Sequence, residues 1–218
     1  MNCLANNIEL LNELYHDINE LQKQFYSHLD DINLVHRLNF SKIKVRDVLN
    51  ASNNEGKYFF EYIQIYLKEL NQFSLLQIPY IEDKYTEIEL RTRVKNHSSI
   101  SSKLQQYNAN GDYPGAYVLQ KCLNDLFGFR VILDERIIEN PEFSSLLDEL
   151  KNKKIIFRDY HRYDGDYKGH HSYFKNKSNL FLPWELQIWY NEDAKGNYAS
   201  HFYHKQKYLN KERGVVNV

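Results

Sequence analysis

The stretch Asp125-Leu-Phe-Gly-Phe-Arg-Val-Ile-Leu133 decides the fold, because its apolar run over residues 126–133 is typical of a strand buried inside a sheet. An acidic residue, Asp125, stands at the mouth of this run, and a cation, Arg130, lies inside it. A buried arginine needs a partner, so Arg130 is expected to contact a polar group or a ligand. A helix-ending Asp125 and a structural Arg130 would account for the same residues, and the stretch alone leaves both interpretations open.

Strands and helices alternate around this stretch. Further strands are predicted for residues 88–94, 154–158, 171–174 and 184–190. Helices are predicted for residues 98–107, 116–124, 142–151 and 197–210, with loops over 108–115 and 159–170. The alternation predicts an α+β fold in which a mixed β-sheet is flanked by helices.

The first third of the chain has a helical pattern instead. Apolar residues recur at steps of three and four from Ile8 to Leu29, which places them on one helix face. Two more helices are predicted over 40–49 and 58–70, and Pro79 is expected to end the helical region. We therefore divide the chain into an N-terminal helical extension, 1–80, and a sheet domain, 81–218.

The composition excludes several classes of protein. The 218 residues are 42% hydrophobic, including 15% aromatic residues, so a folded core is expected and disorder is not. A net charge of −1 argues against a uniformly basic nucleic-acid coat. The sequence contains neither an apolar run of membrane-spanning length nor a basic signal-peptide start. Two distant cysteines, Cys3 and Cys122, suggest reduced thiols and a soluble, cytoplasmic protein.

One segment combines three cations with a hydroxyl group. Arg93 and Lys95 are two residues apart on a predicted strand, so they face the same side. Ser99 and Lys103 are one turn apart at the start of the helix that follows. Such a set can clamp a polyphosphate near a helix N-terminus. A solvated basic edge is the alternative interpretation of this segment.

Two isolated carboxylates offer a metal site. Glu185, like Asp125, lies at an otherwise apolar strand, and a buried carboxylate without a cation or a metal is costly. Two carboxylates on neighbouring strands can hold Mg²⁺, which prefers oxygen ligands. The histidine pairs at 170–171 and 201–204 have no cysteine partner at zinc-type spacing.

The order of these motifs resembles the RelA/SpoT nucleotidyltransferase domain of (p)ppGpp synthetases. The matching order is Arg-x-Lys-x-x-x-Ser-x-x-x-Lys, Asp-Leu-x-Gly-x-Arg-Val, Asp-Tyr with Tyr-Lys-x-x-His, Glu-x-Gln-Ile, and a His near a Tyr, spread over residues 87–208. The resemblance implies a nucleotidyltransferase-like synthetase fold and a pyrophosphokinase. Such an enzyme moves the β,γ-pyrophosphate of ATP to a ribose 3′-hydroxyl and uses Mg²⁺.

The resemblance also implies roles for individual residues. The ATP-binding positions would be Arg93, Lys95, Ser99, Lys103 and Arg130. Asp125 and Glu185 would bind the metal and form the catalytic pair, with Glu185 also serving the attacking hydroxyl. On the acceptor side, Tyr167 would stack on the acceptor base and His171 would lie near its phosphates, with Lys168, Gln187 and His204 in supporting positions.

The acceptor side departs from the family pattern. The usual Pro-Lys-x-x-Gly-Tyr loop is His161-Arg-Tyr-Asp-Gly-Asp-Tyr167 here, so the proline is absent and Asp166 replaces the glycine. Glu-x-Gln-Ile is normally followed by Arg-Thr, whereas this chain has Trp189-Tyr190. Both changes fall where phosphates of an acceptor nucleotide would bind, which leaves the acceptor open.

Three functions are compatible with this pattern. The chain could make the alarmone (p)ppGpp from GDP or GTP, as small alarmone synthetases do, or it could be a catalytically inactive interaction module. We favour a toxic synthetase of a toxin–antitoxin system that modifies the 3′ end of tRNA, with an antitoxin protein as partner. The tail cations Lys205, Lys207, Lys211 and Arg213 could track an RNA backbone, although cations at a solvated helix end are also ordinary. The helical extension is too short for a hydrolase domain, so no reversal of the product is expected.

Overall fold

The computed structural model describes residues 3–32, 37–50, 54–109, 113–176 and 178–212, without the side chains of residues 3, 4, 201 and 204–212. It contains a five-stranded mixed sheet with strand order β1-β2-β5-β4-β3. The strands are β1 (Arg91–Val94), β2 (Phe127–Leu133), β3 (Arg158–Asp164), β4 (Tyr167–Phe174) and β5 (Trp184–Tyr190). The helices are α1 (Cys3–Asp31), α2 (Val45–Leu49), α3 (Asn54–Lys84), α4 (His97–Ala109), α5 (Leu119–Cys122), α6 (Pro141–Asn152) and α7 (Asn191–Glu212), with a 3₁₀ turn at Thr86–Ile88. The predicted α+β fold is confirmed.

The pairing of β2 with β5 is parallel, and the other three strand pairs are antiparallel. Successive side chains of a strand point to opposite faces, so the sheet has two distinct sides. One side is apolar and carries the buried residues Phe127, Phe129, Phe174, Trp184 and Leu186. The other side, which we call the open face, carries most of the charged and polar residues of the strands.

Helices α1 and α6 cover the apolar side of the sheet. The Tyr15 hydroxyl of α1 lies 2.7 Å from Ser172 Oγ of β4, and the Phe25 ring packs on Trp184 at 5.8 Å between centroids. From α6, Phe143 packs edge-on against His170. Buried residues of α1, α3 and the sheet form one continuous hydrophobic cluster. No helix in the described ranges combines the length and the apolar character needed to cross a membrane.

Pro79 does not end a helix, contrary to the prediction. Helix α3 continues through Pro79 to Lys84. A proline removes one backbone donor and crowds the carbonyl group four residues earlier, which here belongs to the exposed Leu75 and can be hydrated. Tertiary contacts hold the last turn, because Asp17 of α1 accepts hydrogen bonds from Lys84 (2.7 Å) and Tyr85 (2.8 Å).

The predicted loop over residues 159–170 is also wrong, because most of it is the β3–β4 hairpin. Gly165 lies at the connection with φ +60°, a conformation that glycine adopts without steric cost. Strand β3 begins at Arg158 rather than at residue 154. The predicted helices over 40–49 and 116–124 shorten to α2 and α5, whereas the closing helix begins at Asn191, directly after β5.

Candidate active site

The strand register collects the predicted site residues on the open face. One row of paired positions crosses all five strands in the order Arg93, Gly128, Glu185, Tyr173 and Arg158. The next row lies two residues away on each strand and consists of Arg91, Arg130, Gln187, His171 and Tyr160. Neighbouring strands are about 4.8 Å apart, so each row spans roughly 19 Å. The face therefore has cations at both ends and a carboxylate in the middle.

Asp125 lies just before β2 and binds two lysines. Its carboxylate oxygens are 2.6 Å from Lys95 Nζ and 3.1 Å from Lys103 Nζ. The sequence builds this contact locally, since the Lys95 amide donates to the carbonyl of Leu126 (2.9 Å) and α4 begins two residues after Lys95. Three of the predicted chemical groups therefore meet at one point.

The electrostatics keep Asp125 ionised. Burial opposes its negative charge, but the ammonium groups of Lys103 and Lys95 hold the pKa of Asp125 well below its usual range. Burial lowers the pKa of Lys95, whereas the attraction of Asp125 outweighs burial and raises the pKa of Lys103. The Asp125 side chain is 24% exposed, so this ion cluster can be reached from solvent.

The two other predicted clamp residues lie close by in the fold. Arg93 is exposed on the first row, two residues before Lys95. Ser99 lies in the first turn of α4, where its amide donates to Asn96 Oδ1 (2.9 Å), and it is one turn before Lys103. The β1–α4 segment thus carries all four predicted clamp residues, from Arg93 to Lys103.

Glu185 is 6% exposed and receives three hydrogen bonds. Tyr173 Oη donates to Glu185 Oε1 (2.8 Å), His171 Nδ1 lies 2.8 Å from the same oxygen, and Gln187 Nε2 donates to Oε2 (2.7 Å). Burial opposes its charge, but the contact with His171 lowers the pKa of Glu185. The negative charge of Asp125 acts in the opposite direction and raises the pKa of Glu185.

A chain of hydrogen bonds fixes the tautomer of His171. Trp189 Nε1 can only donate, and it lies 3.1 Å from the Tyr167 oxygen. Tyr167 can therefore give its own hydrogen to His171 Nε2, at 2.8 Å, which leaves the imidazole proton on Nδ1 and directed at Glu185.

Arg130 has the partners that its buried position requires. Its guanidinium lies 3.6 Å over the Trp189 ring and 5.8 Å from the Tyr198 ring of α7, and its Nε donates to Gln187 Oε1 (3.3 Å). Burial lowers the pKa of Arg130. Gln187 thereby links Arg130 to Glu185.

The predicted acceptor residues divide into three groups. Tyr167, His171 and Gln187 converge on Glu185, and the Tyr167 ring is 4% exposed, with the Arg162 guanidinium 5.2 Å from its centroid. Lys168 is not brought to this group, because its ammonium pairs with Asp193 of α7 (2.9 Å). The side chains of His204, Lys205, Lys207 and Lys211, and all of Arg213, lie outside the described residues.

Three residues of this face were missed by the sequence analysis. Tyr173 binds Glu185, Trp189 carries Arg130 and donates to Tyr167, and Arg158 ends the first row. A two-residue alternation places Tyr173 on the same side as His171, and Trp189 on the same side as Gln187, so the pattern of each strand could have indicated them.

The donor set fits a hard cation. Among the described residues, no three His, Cys, Asp or Glu side chains form a group that could hold a metal ion. Two carboxylates are nevertheless what Mg²⁺ commonly takes from a protein, since it binds substrate phosphates and waters as well. The lysines that now bind Asp125 could move to those phosphates. The residues present therefore fit Mg²⁺ bound together with a nucleotide.

Comparisons with known proteins add only distant similarities. No protein-family model and no curated protein matches the chain. Among solved structures, the chain is similar to small alarmone synthetase 1 from Bacillus subtilis, with 17% sequence identity, a TM-score of 0.37 and coverage of 76% of this chain and 84% of the other. It is similar to small alarmone synthetase 2 from the same organism, with 17% identity, a TM-score of 0.38 and coverage of 72% and 84%. Because values this low do not establish function, a functional proposal must rest on the residues of this chain.

Proposed function

We propose that this chain is an ATP-dependent pyrophosphokinase, which transfers the β,γ-pyrophosphate of ATP to a ribose 3′-hydroxyl. The observation that carries the proposal is the pairing of two carboxylate centres on one face. Asp125, just before β2, is bound to Lys95 and Lys103, and Glu185 lies on the neighbouring strand β5 within a full set of hydrogen bonds. The first centre suits a polyphosphate, and the second suits a hydroxyl group.

On the donor side, Lys95, Lys103 and Arg93 would bind the phosphates of ATP. The two lysines share one carboxylate, Asp125, so their ammonium groups are close enough together to bind one polyphosphate. Ser99 would contribute a hydroxyl at the N-terminus of α4, where backbone N–H groups favour anions. Arg130 would contact ATP from the second row.

Asp125 and Glu185 would hold Mg²⁺ together with phosphate oxygens of ATP. When bound, the ion would neutralise charge that develops on the pyrophosphate group during transfer.

Glu185 would orient the acceptor hydroxyl and take its proton. The 3′-oxygen attacks the β-phosphorus, the bond from that phosphorus to the α–β bridging oxygen breaks, and AMP leaves with the bond electrons. The hydroxyl proton passes to the carboxylate of Glu185. The donors Tyr173, His171 and Gln187 keep that carboxylate ionised and fixed in orientation before transfer.

For the acceptor, we propose the 3′-terminal ribose of tRNA, so that the chain would block translation as a toxin held in check by an antitoxin. Trp189 and the Arg162–Asp164 pair occupy positions where the family pattern has groups for free nucleotide phosphates. GDP or GTP is the second candidate, and the convergence of Tyr167, His171 and Gln187 on Glu185 favours it, because these residues match the acceptor motif of the alarmone synthetases.

The test is incubation of the purified chain and Mg²⁺ with γ-labelled ATP and one acceptor at a time: tRNA, GDP or GTP. Label on tRNA supports the first acceptor, and label on a guanosine nucleotide supports the second. Transfer of label from ATP to tRNA should disappear when the tRNA ends in 3′-deoxyadenosine, since the attacking oxygen is then absent. If no acceptor takes up label, the proposed function is wrong.

A further inference from the structure

A cavity opens beside the open face, at the end of the first row that lies opposite Arg93. It has a volume of about 180 Å³, and its lining includes Gln120, Lys121, Asn124, Phe157, Arg158 and Tyr173. We call it the Phe157 pocket. This volume is large enough for a phosphate group with part of its nucleotide.

The cations of this pocket are not balanced by acids. Lys121 and Arg158 line it, and Lys175 lies beside it over the Phe157 ring, 5.6 Å from the centroid. Within the described part of the chain, none of the three has a carboxylate partner, unlike Lys95 and Lys103. Instead, Lys121 lies over the Tyr117 ring (4.5 Å) and Arg158 over the Tyr160 ring (4.7 Å). Uncompensated cations around a concave site favour an anionic ligand.

The walls offer a flat ring and an unused donor. Phe157 is 46% exposed although it is a large apolar residue, so part of its ring is open to solvent. Gln120 Nε2 is buried, and no hydrogen-bond partner for it is found among the described residues. A ligand with a planar ring would contact the exposed part of Phe157, and rotation of the Gln120 amide would bring its donor to a ligand acceptor.

The pocket is joined to Glu185 by one residue. Tyr173 lines the pocket and donates its hydroxyl hydrogen to Glu185. Arg158 is two strands from Glu185 in the same row, about 10 Å away, and Arg93 is two strands away on the other side. A hydroxyl at Glu185 therefore has the ATP clamp on one side and the Phe157 pocket on the other.

We propose that the Phe157 pocket binds a phosphate of the acceptor, with the attached nucleotide stacked on Phe157. The inference rests on the proposed function and extends it, because it assigns acceptor binding to Lys121, Arg158 and Phe157. The phosphate can come from two sources: the 5′-diphosphate of a free nucleotide, or the backbone next to the last nucleotide of an RNA 3′ end.

The first test compares the double variant Lys121→Gln/Arg158→Gln with wild type in the labelled-ATP assay. Loss of two charge-assisted contacts should raise the acceptor KM at least about tenfold and leave the ATP KM unchanged. The matched control is Lys23→Gln/Lys57→Gln, which removes two exposed charges from α1 and α3 and should change neither constant. Phe157→Ala should weaken acceptor use about ten- to a hundredfold, whereas Phe157→Tyr keeps the ring and should stay near wild type.

A comparison of the assay with RNA and with free nucleotides identifies the source of the phosphate. With RNA, the double variant should also lower the salt dependence of binding, by a slope of about 1.4 in log Kd against log salt for two phosphate contacts. With a free nucleotide, the loss should appear for both GDP and GTP. If wild type transfers pyrophosphate and the double variant keeps a normal acceptor KM in every arm, the pocket proposal is overturned.

A binding experiment separates this failure from failure of the proposed function. Calorimetric titration with GDP, and separately with a CCA trinucleotide, requires no transfer. If wild type is inactive yet binds either probe, and the double variant binds it at least about tenfold more weakly, the pocket stands and the pyrophosphokinase proposal falls. If wild type binds neither probe, or binds it no better than the double variant does, the pocket proposal is wrong.

Discussion

Gly128 and Glu185 are paired positions on the neighbouring parallel strands β2 and β5, and Gly128 leaves the space beside the carboxylate empty. A Cβ atom placed at residue 128 would have the carbonyl oxygen of Arg93 as its nearest neighbour, at 3.9 Å. Close packing therefore does not require a glycine at residue 128. The missing side chain leaves a gap between Arg93 and Glu185 on the open face. In the proposed reaction, phosphates of ATP would occupy this gap.

Gly128→Val should block transfer without loss of the fold. A Cβ atom at residue 128 meets no atom closer than 3.9 Å, and valine favours strands, so the melting temperature should not fall. The side chain would fill the gap and displace the phosphates, which predicts a loss of about a hundredfold in kcat/KM for ATP. Gly128→Ala should have a smaller effect in the same direction. Wild-type kinetics for a folded valine variant would contradict the location of the ATP phosphates.

Glu185→Gln should abolish transfer and retain the fold. The amide oxygen can still accept hydrogen bonds from Tyr173 and His171, and Gln187 can rotate its amide to present oxygen in place of nitrogen. Apart from the hydrogen bond of Arg130 to Gln187 Oε1, which that rotation removes, the variant loses only the charge, which the proposal assigns to the metal and to the hydroxyl proton. Labelled transfer should fall below about a tenth of wild type. Activity above that level, with a normal circular dichroism spectrum, would remove Glu185 from the reaction.

The sequence was informative where one residue type decided the structure locally. The apolar run of β2 and the spacing of Arg93, Lys95 and Lys103 were sufficient to predict the strand and the helix, and the role of these residues as a phosphate clamp stays a prediction. The position of strand β3 could not be predicted, because it is an edge strand with mostly exposed residues and therefore has no apolar alternation. The position of Arg158 at the end of the first row depends on strand register, which is set by long-range pairing that no local pattern records.

Tyr167 offers a test in which structure and sequence lead to different expectations. A stacking platform would tolerate Tyr167→Phe, because stacking uses the ring alone. In the fold, the hydroxyl lies 2.8 Å from His171 Nε2 and 3.1 Å from Trp189 Nε1. We therefore expect Tyr167→Phe to lower kcat severalfold, by roughly the loss of one buried hydrogen bond, with no change in the ATP KM. Full activity of Tyr167→Phe combined with a poor Tyr167→Ala would restore the platform interpretation.

The pH dependence of stability should depend on His170. This residue is fully buried on the apolar side, and burial together with the nearby His161, His171 and Lys151 lowers its pKa to about 3. Between this value and the unfolded value near 6.5, the unfolded chain binds a proton that the folded chain does not, so stability falls as the pH falls. A drop from pH 7 to pH 5 should cost about 2 kcal/mol through this group.

Urea unfolding at both pH values measures that cost. His170→Gln cannot bind the proton, so its free energy of unfolding should change by about 2 kcal/mol less than that of wild type over the same interval. The lowered pKa values of Asp125 and Glu185 do not affect this comparison. A carboxylate with a lowered pKa stabilises the fold above the usual carboxyl pKa, and that stabilisation is lost only when the pH falls below it. Equal pH dependence in wild type and variant would show that His170 is not the responsible group.

The last prediction separates the two acceptors through the positive charges of the C-terminal region. Lys205, Lys207 and Lys211 belong to α7, whose earlier residue Tyr198 contacts Trp189 and Arg130 at the candidate site. If tRNA is the acceptor, its phosphates can follow this helix away from Glu185. The triple change to alanine should then weaken transfer to tRNA. The difference from wild type should vary with salt, because each lost phosphate contact lowers the slope of log K against log salt by about 0.7 to 0.9. Transfer to GDP should not change, since a free nucleotide does not extend along the helix.

A control with alanine at Lys23, Lys57 and Lys68, three exposed lysines of α1 and α3, removes the same net charge and should affect neither acceptor. If the tail variant modifies tRNA as wild type does at every salt concentration, RNA does not bind along α7, and the cations there serve only to solvate the end of a helix and to balance its dipole.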